Sequence, residues 1–257
     1  MELISTYQKG SKAVIVLNQP EKRNALSPLM IRELKTAFDD FSNDPNVRAI
    51  VLRAEGTSFC SGADLASLRD MQQYGYAENV ADSAALKDLY YSMYTSPKPI
   101  IAEVQGHALA GGCGLVTVCD FVLAVPQAKF GYTEVRIGFV PAIVMGFLIR
   151  RIGGGHARNM LLSGGLISAE KACEWGLITR VVSPDELSAE VEKFVDQLVT
   201  GNSGEAMAMT KQMLADIQSM GLVEALSHGV ETNVRARVTA DCRRGVEAFL
   251  RKEKLDW

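Results

Sequence analysis

The sequence predicts an α/β protein in which strand–helix units come first and helices follow. Three observations predict it. Short aliphatic runs, each sized for one buried strand, recur at 13–17, 47–52, 100–104 and 121–125. Glycine-bearing turns follow the second and third of these runs and lead into helical patterns. Beyond Gly138 the apolar spacing becomes helical almost to the end. Alternating strands and helices followed by helices alone describe an α/β core with a helical C-terminal part.

Each element has a local cause. Ala13-Val14-Ile15-Val16-Leu17 reads as a buried strand that Asn18-Gln19-Pro20 ends. Ser27-Pro28 opens a helix, with serine as N-cap and proline at the first helical position. Met30, Leu34, Ala37, Phe38 and Phe41 line one face of that helix, and Asn43-Asp44-Pro45 closes it. Residues 47–52 form the next strand. The polar stretch 71–81, with Gly75 and two tyrosines, reads as a mobile loop or irregular helix, and a helix runs from there to about Thr95. Pro97 and Pro99 bracket a turn into the third strand. An apolar helix over 114–119 precedes the fourth. Gly153-Gly154-Gly155 reads as a turn between helices, because no Lys-Ser/Thr follows as a phosphate loop requires. Ser168-Ala169-Glu170-Lys171 is an incomplete N-cap signal. The expected division is a core over 1–200 and a helical region over 201–257. Subunit contact and packing on their own core are equal uses for the apolar faces after Ser203.

Composition narrows the function classes. The 257 residues suffice to bury a substantial core, and the 47% hydrophobic and 22% charged content is that of an ordinary globular protein. A net charge of −3 offers nucleic acid no electrostatic footprint. The five cysteines (60, 113, 119, 173 and 242) contain no CxxC pair and are expected to be reduced, buried thiols. The N-terminus lacks a basic, apolar leader, and no apolar run approaches the ~18 residues of a membrane span. A soluble, cytoplasmic protein without a membrane or nucleic-acid partner is expected. No metal-ligand spacing occurs, and no metal is expected.

The chemistry concentrates in two turns and one acid. Phe59-Cys60-Ser61-Gly62-Ala63-Asp64-Leu65 and Ala108-Leu109-Ala110-Gly111-Gly112-Cys113-Gly114-Leu115 each look like a strand end turning into a helix. Backbone N–H groups at such a turn lack partners and can receive negative charge. Two such turns facing each other would make an oxyanion hole from main chain alone. Glu134 then offers a carboxylate for proton transfer. Among other polar residues, Glu103 and Tyr132 are expected to be structural, His107 to be an ordinary polar residue, and His156 and His228 to be solvated.

The ordered set of motifs resembles the crotonase superfamily, the enoyl-CoA hydratase/isomerase family. The resemblance runs from Lys22-Arg23-Asn24-Ala25-Leu26, through Gly62-Ala63-Asp64, Lys98-Pro99, Gly111-Gly112, Cys119-Asp120 and Phe130-Gly131 with Glu134 and Gly138, to Ala169-Glu170-Lys171-Ala172, Trp175-Gly176-Leu177-Ile178 and the segment near Lys252. It implies a crotonase-like spiral of ββα repeats with a helical C-terminal trimerisation region, assembled as a homotrimer or homohexamer. It implies an acyl-CoA thioester substrate, with coenzyme A entering as part of the substrate and no separate cofactor. By position, the N–H groups of Ala63 and Gly111 become the oxyanion donors and Glu134 the acid–base group. The main chain of 62–66, which includes Asp64, Leu65 and Ala66, and the segment Arg23 to Ala25 would receive the adenine end. Arg23 would meet a phosphate, and Lys252 would reach one from a neighbouring subunit.

One departure stands out. Many hydratases of this family carry a second glutamate three residues after the oxyanion glycine, where this chain has Gly114, expected to line the substrate site. A hydratase-type lyase acting on a short or branched acyl-CoA is the leading expectation. A Δ3–Δ2-enoyl-CoA isomerase needs only one carboxylate and is the alternative. A non-catalytic acyl-CoA-binding scaffold is the third. The acyl pocket is expected around 71–81 and 140–145.

Overall fold

Two sheets organise the chain in the computed structural model, which describes residues 2–257 apart from the side chain of Leu65. The larger holds β1 (Ile4–Lys9), β2 (Lys12–Leu17), β3 (Ala49–Ala54), β5 (Ile100–Val104), β7 (Phe121–Ala124) and β10 (Arg180–Val181), in that spatial order. The smaller holds β4 (Ser58–Cys60), β6 (His107–Leu109), β8 (Lys129–Gly131) and β9 (Ile167–Ser168). From β3 to β8, consecutive strands alternate between them. β3, β5 and β7 enter the large sheet in parallel, with Ile50 opposite Ile100 and Ile101 opposite Phe121. β4, β6 and β8 enter the small one in parallel, with Cys60 opposite Ala108 and Leu109 opposite Gly131. Each ββα repeat thus adds one strand to each sheet, and the chain spirals.

The helices are α1 (Pro28–Asn43), α2 (Leu65–Met71), α3 (Tyr76–Thr95), α4 (Gly111–Val118), α5 (Ala142–Ser163), α6 (Ala169–Glu174), α7 (Leu187–Gly201), α8 (Gly204–Asp216), α9 (Leu222–Arg237) and α10 (Ala240–Arg251). The central strands read as continuous apolar runs because the large sheet is covered, with α7 packed across β3, β5 and β7. α1 and α3 pack on one another. Ser27 caps α1 by accepting from the Met30 N–H at 3.2 Å. Met30, Leu34, Ala37 and Phe38 are buried, as the helical spacing requires.

Five differences from the sequence expectations have physical causes. β1 was not foreseen: only Ile4 is buried on this edge strand, so hydrophobicity carries no signal. The stretch 71–81 is helical except for a turn at 72–75, and Glu78 accepts from the Gly75 N–H at 2.7 Å to start α3. α4 begins at Gly111, three residues early, because two glycines admit a close approach there. The region beyond Gly138 also contains β9 and β10, each only two residues long. Cys60, Cys113 and Cys119 are buried, but Cys173 and Cys242 are only partly so. The Ser168 signal is a working cap, accepting from the Lys171 N–H at 3.2 Å. Gly153, at φ +74°, breaks α5 into two segments as the glycine triplet suggested.

α8 is tied to the core by Lys211, whose ammonium donates to Asp120 at 2.6 Å and to the Lys98 carbonyl at 3.0 Å. The Asp120 carboxylate also accepts from the Ile100 N–H at 2.7 Å. No residue of α9 is buried, and Leu222, Val223 and Phe249 are 76%, 78% and 83% exposed. Among the described residues no helix is long and apolar enough to cross a membrane.

Candidate active site

Two turns meet where β4 and β6 end side by side. At the first, the Leu26 N–H donates to the Gly62 carbonyl at 2.8 Å and the Asp64 N–H to the Leu26 carbonyl at 3.2 Å. This one-residue parallel bridge pairs Leu26 with Ala63 and turns the Ala63 N–H to the opposite side. At the second, the Ala110 N–H donates to the Gly131 carbonyl at 2.8 Å, and α4 starts at the next residue. Among the described residues, neither the Ala63 nor the Gly111 N–H has an acceptor.

Glycine is what lets the turns touch. Gly62 lies at φ +90°, and a Cβ on it would stand 2.6 Å from the Ala110 Cβ and 3.1 Å from the Gly111 nitrogen. A Cβ on Gly112 would stand 2.3 Å from the Cys60 carbonyl oxygen. Ala110 itself has φ 49° and ψ −124°, a conformation that the first central position of a type II′ turn reserves for glycine. Such backbone strain costs about 1–3 kcal/mol and concentrates at functional sites. Here it aims the peptide that carries the Gly111 N–H. The first N–H groups of α4 add the positive end of a helix at the same point.

Glu134 begins a 3-10 turn over Glu134–Ile137, three residues after Gly131. Its side chain is half-buried, and Oε2 is buried with no hydrogen-bond partner among the described residues. Burial raises its pKa above the ordinary carboxylate value, against a smaller opposing effect of its own backbone N–H. Burial above all pushes the Tyr90 phenol well up. Burial pushes the Cys113 thiol up to about 12.

Tyr90, which sequence reasoning did not single out, is the unforeseen member of this group. It is fully buried on α3, and its hydroxyl donates to the Gly111 carbonyl at 2.7 Å. Its phenol also occupies the volume beside Gly114. A Cβ on Gly114 would stand 2.7 Å from Tyr90 Oη, 2.8 Å from Tyr90 Cζ and 2.6 Å from Val144 Cγ1. Gly114 therefore faces Tyr90 and Val144, not open space. The only sequence signal was a tyrosine beside Leu89 and Met93 on the buried face of a helix.

The structure brings the two segments expected at the adenine end together. The Ser61 N–H donates to the Arg23 carbonyl at 3.0 Å, and the buried Asn24 binds the Glu55 and Ser58 carbonyls and the Gln19 N–H. Arg23 is exposed and Ala25 buried. Asp64 caps α2 by accepting from the Ala66 N–H at 3.0 Å, so that amide is engaged. Leu65 opens α2, with its side chain outside the described set. Lys252 caps α10, whose main packing partners are α8 and α9.

The remaining polar residues have structural partners. Glu103 accepts from Ser188 Oγ at 2.6 Å, His107 from the Lys129 N–H at 3.2 Å, and Tyr132 pairs with Thr117 at 2.7 Å. His156 is exposed and stacks on Trp175. His228 is half-buried, 3.3 Å from Asp216, rather than freely solvated. A cavity of about 910 Å³ lies elsewhere, between the end of α4, α5 and α8. Its charged groups are engaged: Lys211 with Asp120, Arg150 with the Gly146 carbonyl, and Arg151 with the Cys119 and Leu177 carbonyls.

A family model described as enoyl-CoA hydratase/isomerase matches residues 8–257. The chain is 40% identical over 245 residues to a Thermus thermophilus protein named provisionally as an enoyl-CoA hydratase, covering 95% of this chain and 96% of that protein. It is 33% identical over 267 residues to a crotonyl-CoA hydratase of Syntrophomonas wolfei, covering 100% and 98%. The crystal structure of an enoyl-CoA hydratase from Shewanella pealeana superimposes with a TM-score of 0.93 at 31% identity, covering 99% and 96%.

Proposed function

Because the chain belongs to the enoyl-CoA hydratase/isomerase family, we propose that it is a hydro-lyase that adds water to a short or branched 2-enoyl-CoA, or removes it from the 3-hydroxy product. One observation carries this: the Glu134 carboxylate oxygen is buried without a partner among the described residues, three residues after Gly131, whose carbonyl accepts from the Ala110 N–H at the second turn.

The thioester oxygen accepts from the N–H groups of Ala63 and Gly111. As water attacks Cβ, negative charge moves onto that oxygen and the amides receive it. One such donor contributes about 3–4 kcal/mol of barrier lowering in comparable sites. Glu134 takes a proton from the attacking water and returns one at Cα, so that hydroxide and proton add across the double bond. Its raised pKa suits both halves of that transfer. The adenine end lies along Arg23 to Ala25 and the main chain at 62–66. The exposed apolar faces of α9 and α10 support a homotrimer or homohexamer, which sedimentation would detect as a multiple of the 27.9 kDa chain.

Gly114 supports a second reading. With no carboxylate there, one carboxylate must serve, as it does when a proton is taken from Cα and another returned at Cγ in a Δ3–Δ2 isomerisation. Incubation with crotonyl-CoA and with a 3-enoyl-CoA in D₂O separates the two. Mass gain by one water identifies the hydratase, and double-bond migration with deuterium uptake but no added water identifies the isomerase. Glu134→Gln should abolish turnover while acyl-CoA binding persists. Undiminished turnover in that variant removes Glu134 as the acid–base group.

A further inference from the structure

We propose that Tyr90 is a positioning residue of this site: its hydroxyl fills the space left by the absent side chain at 114 and clamps the Gly111 carbonyl, holding the Gly111 N–H toward the substrate thioester oxygen. The proposal rests on the oxyanion reading above and adds a residue to it.

Four observations carry it. First, the place is specific. Residue 114 is one helical turn after Gly111, so its side chain would lie beside that residue, and Tyr90 Oη stands 2.7 Å from where its Cβ would be. Second, the hydroxyl is committed, donating to the Gly111 carbonyl at 2.7 Å. Third, the ring is fixed. It is fully buried on a 20-residue helix and meets Phe147 edge-on at 6.4 Å, and Phe147 also packs on Tyr94 at 5.2 Å. Fourth, the segment it holds needs holding. Gly111 and Gly112 are adjacent glycines with the least restricted backbone available, and Ala110 before them is strained at φ 49°. Relaxing that strain would rotate the 110–111 peptide and swing its N–H out of the site. A bond from a rigid helix to the next carbonyl opposes the rotation.

The same geometry accounts for Gly114. A side chain there and a phenol at 90 compete for one volume, so the chain carries one or the other. The phenol puts a neutral group in the volume that a carboxylate-bearing side chain at 114 would enter.

The test uses the full chain and Tyr90→Phe, which keeps the ring and removes only the bond. The probe is 4-dimethylaminocinnamoyl-CoA, whose absorption band moves to longer wavelength as its thioester carbonyl is polarised. Wild type should shift the band, and Tyr90→Phe should lose at least about half of the shift. Its kcat should fall between about 10- and 100-fold with KM changed less than about threefold, short of the roughly 10²- to 10³-fold that follows outright loss of an oxyanion donor. Tyr132→Phe, which loses an equally buried hydroxyl bond to Thr117, should keep the full shift. A wild-type band and kcat in Tyr90→Phe, or an equal loss in Tyr132→Phe, overturns the role of Tyr90. Those results leave the oxyanion reading intact, provided wild type polarises the probe and Glu134→Gln still does. A wild-type protein that binds the probe without any shift overturns both.

Discussion

Placing a side chain at position 114 separates two accounts of this site. From the sequence, Gly114→Glu restores a familiar second carboxylate and should change the hydration rate. The structure leads elsewhere. The first added atom, Cβ, would sit 2.6–2.8 Å from Val144 Cγ1, Tyr90 Oη and Tyr90 Cζ, all on residues at most 4% exposed. Carbon pairs rest at about 3.5–4.0 Å, so the contacts with Val144 Cγ1 and Tyr90 Cζ overlap by roughly 1 Å. For Gly114→Ala, overpacking costs about 1–3 kcal/mol, against about 1 kcal/mol gained in helix propensity. The net loss is roughly 0–2 kcal/mol. At ~2–4 °C per kcal/mol for a chain of this size, Tm falls by up to about 8 °C. Gly114→Glu adds a buried carboxylate without a cation, a further cost of several kcal/mol. It should therefore accumulate as insoluble or strongly destabilised protein before any change in rate is measurable. Differential scanning calorimetry of wild type, Gly114→Ala and Gly114→Glu decides the matter. A Gly114→Glu protein with the wild-type Tm and an altered hydration rate would refute the packing argument, because it would mean that position 114 faces open space.

Two further outcomes follow from buried charges. Glu134→Gln should raise Tm at neutral pH as it abolishes turnover. Burial holds the folded-state pKa of Glu134 above its unfolded value, so ionisation in the folded state is penalised at any pH above the unfolded pKa of about 4.3. The stability difference between the two proteins should therefore shrink as pH falls through ~4 and both forms become neutral; a constant difference from pH 3 to 7 argues against the burial effect. Lys211→Ala should destabilise the chain by roughly 2–3 kcal/mol, at or just below the ~3–5 kcal/mol for breaking a fully buried pair because Asp120 is a quarter exposed. Calorimetry should then show a fall in Tm of about 5–10 °C, and a change under 2 °C would mean that Lys211 does not anchor α8.

The fold was legible wherever burial is two-sided or a cap is local. β2, β3, β5 and β7 announce themselves because a strand covered on both faces must be apolar throughout. α1 announces itself because Ser27, Pro28 and the 30–34–38 spacing act within one helix. β1 did not, because an exposed edge strand is held by main-chain bonds that any residue can make. The segment 71–81 left loop and irregular helix open because its helix start depends on one side-chain bond, Glu78 to Gly75, and not on apolar spacing.

What the sequence determined by itself is the list of parts: two glycine turns, one acid after them, and a missing side chain at 114. Each is a property of one residue or a few neighbours, so the order of the chain expresses it. Only the tertiary structure decided which groups meet. It set the first turn against the second, through contacts that leave no room for a Cβ on Gly62, and it brought Tyr90 from a helix twenty-one residues upstream to the Gly111 carbonyl. No linear spacing encodes that meeting, because a hydroxyl finds its acceptor through the packing of whole helices. Tyr90 looks in sequence like one more core aromatic.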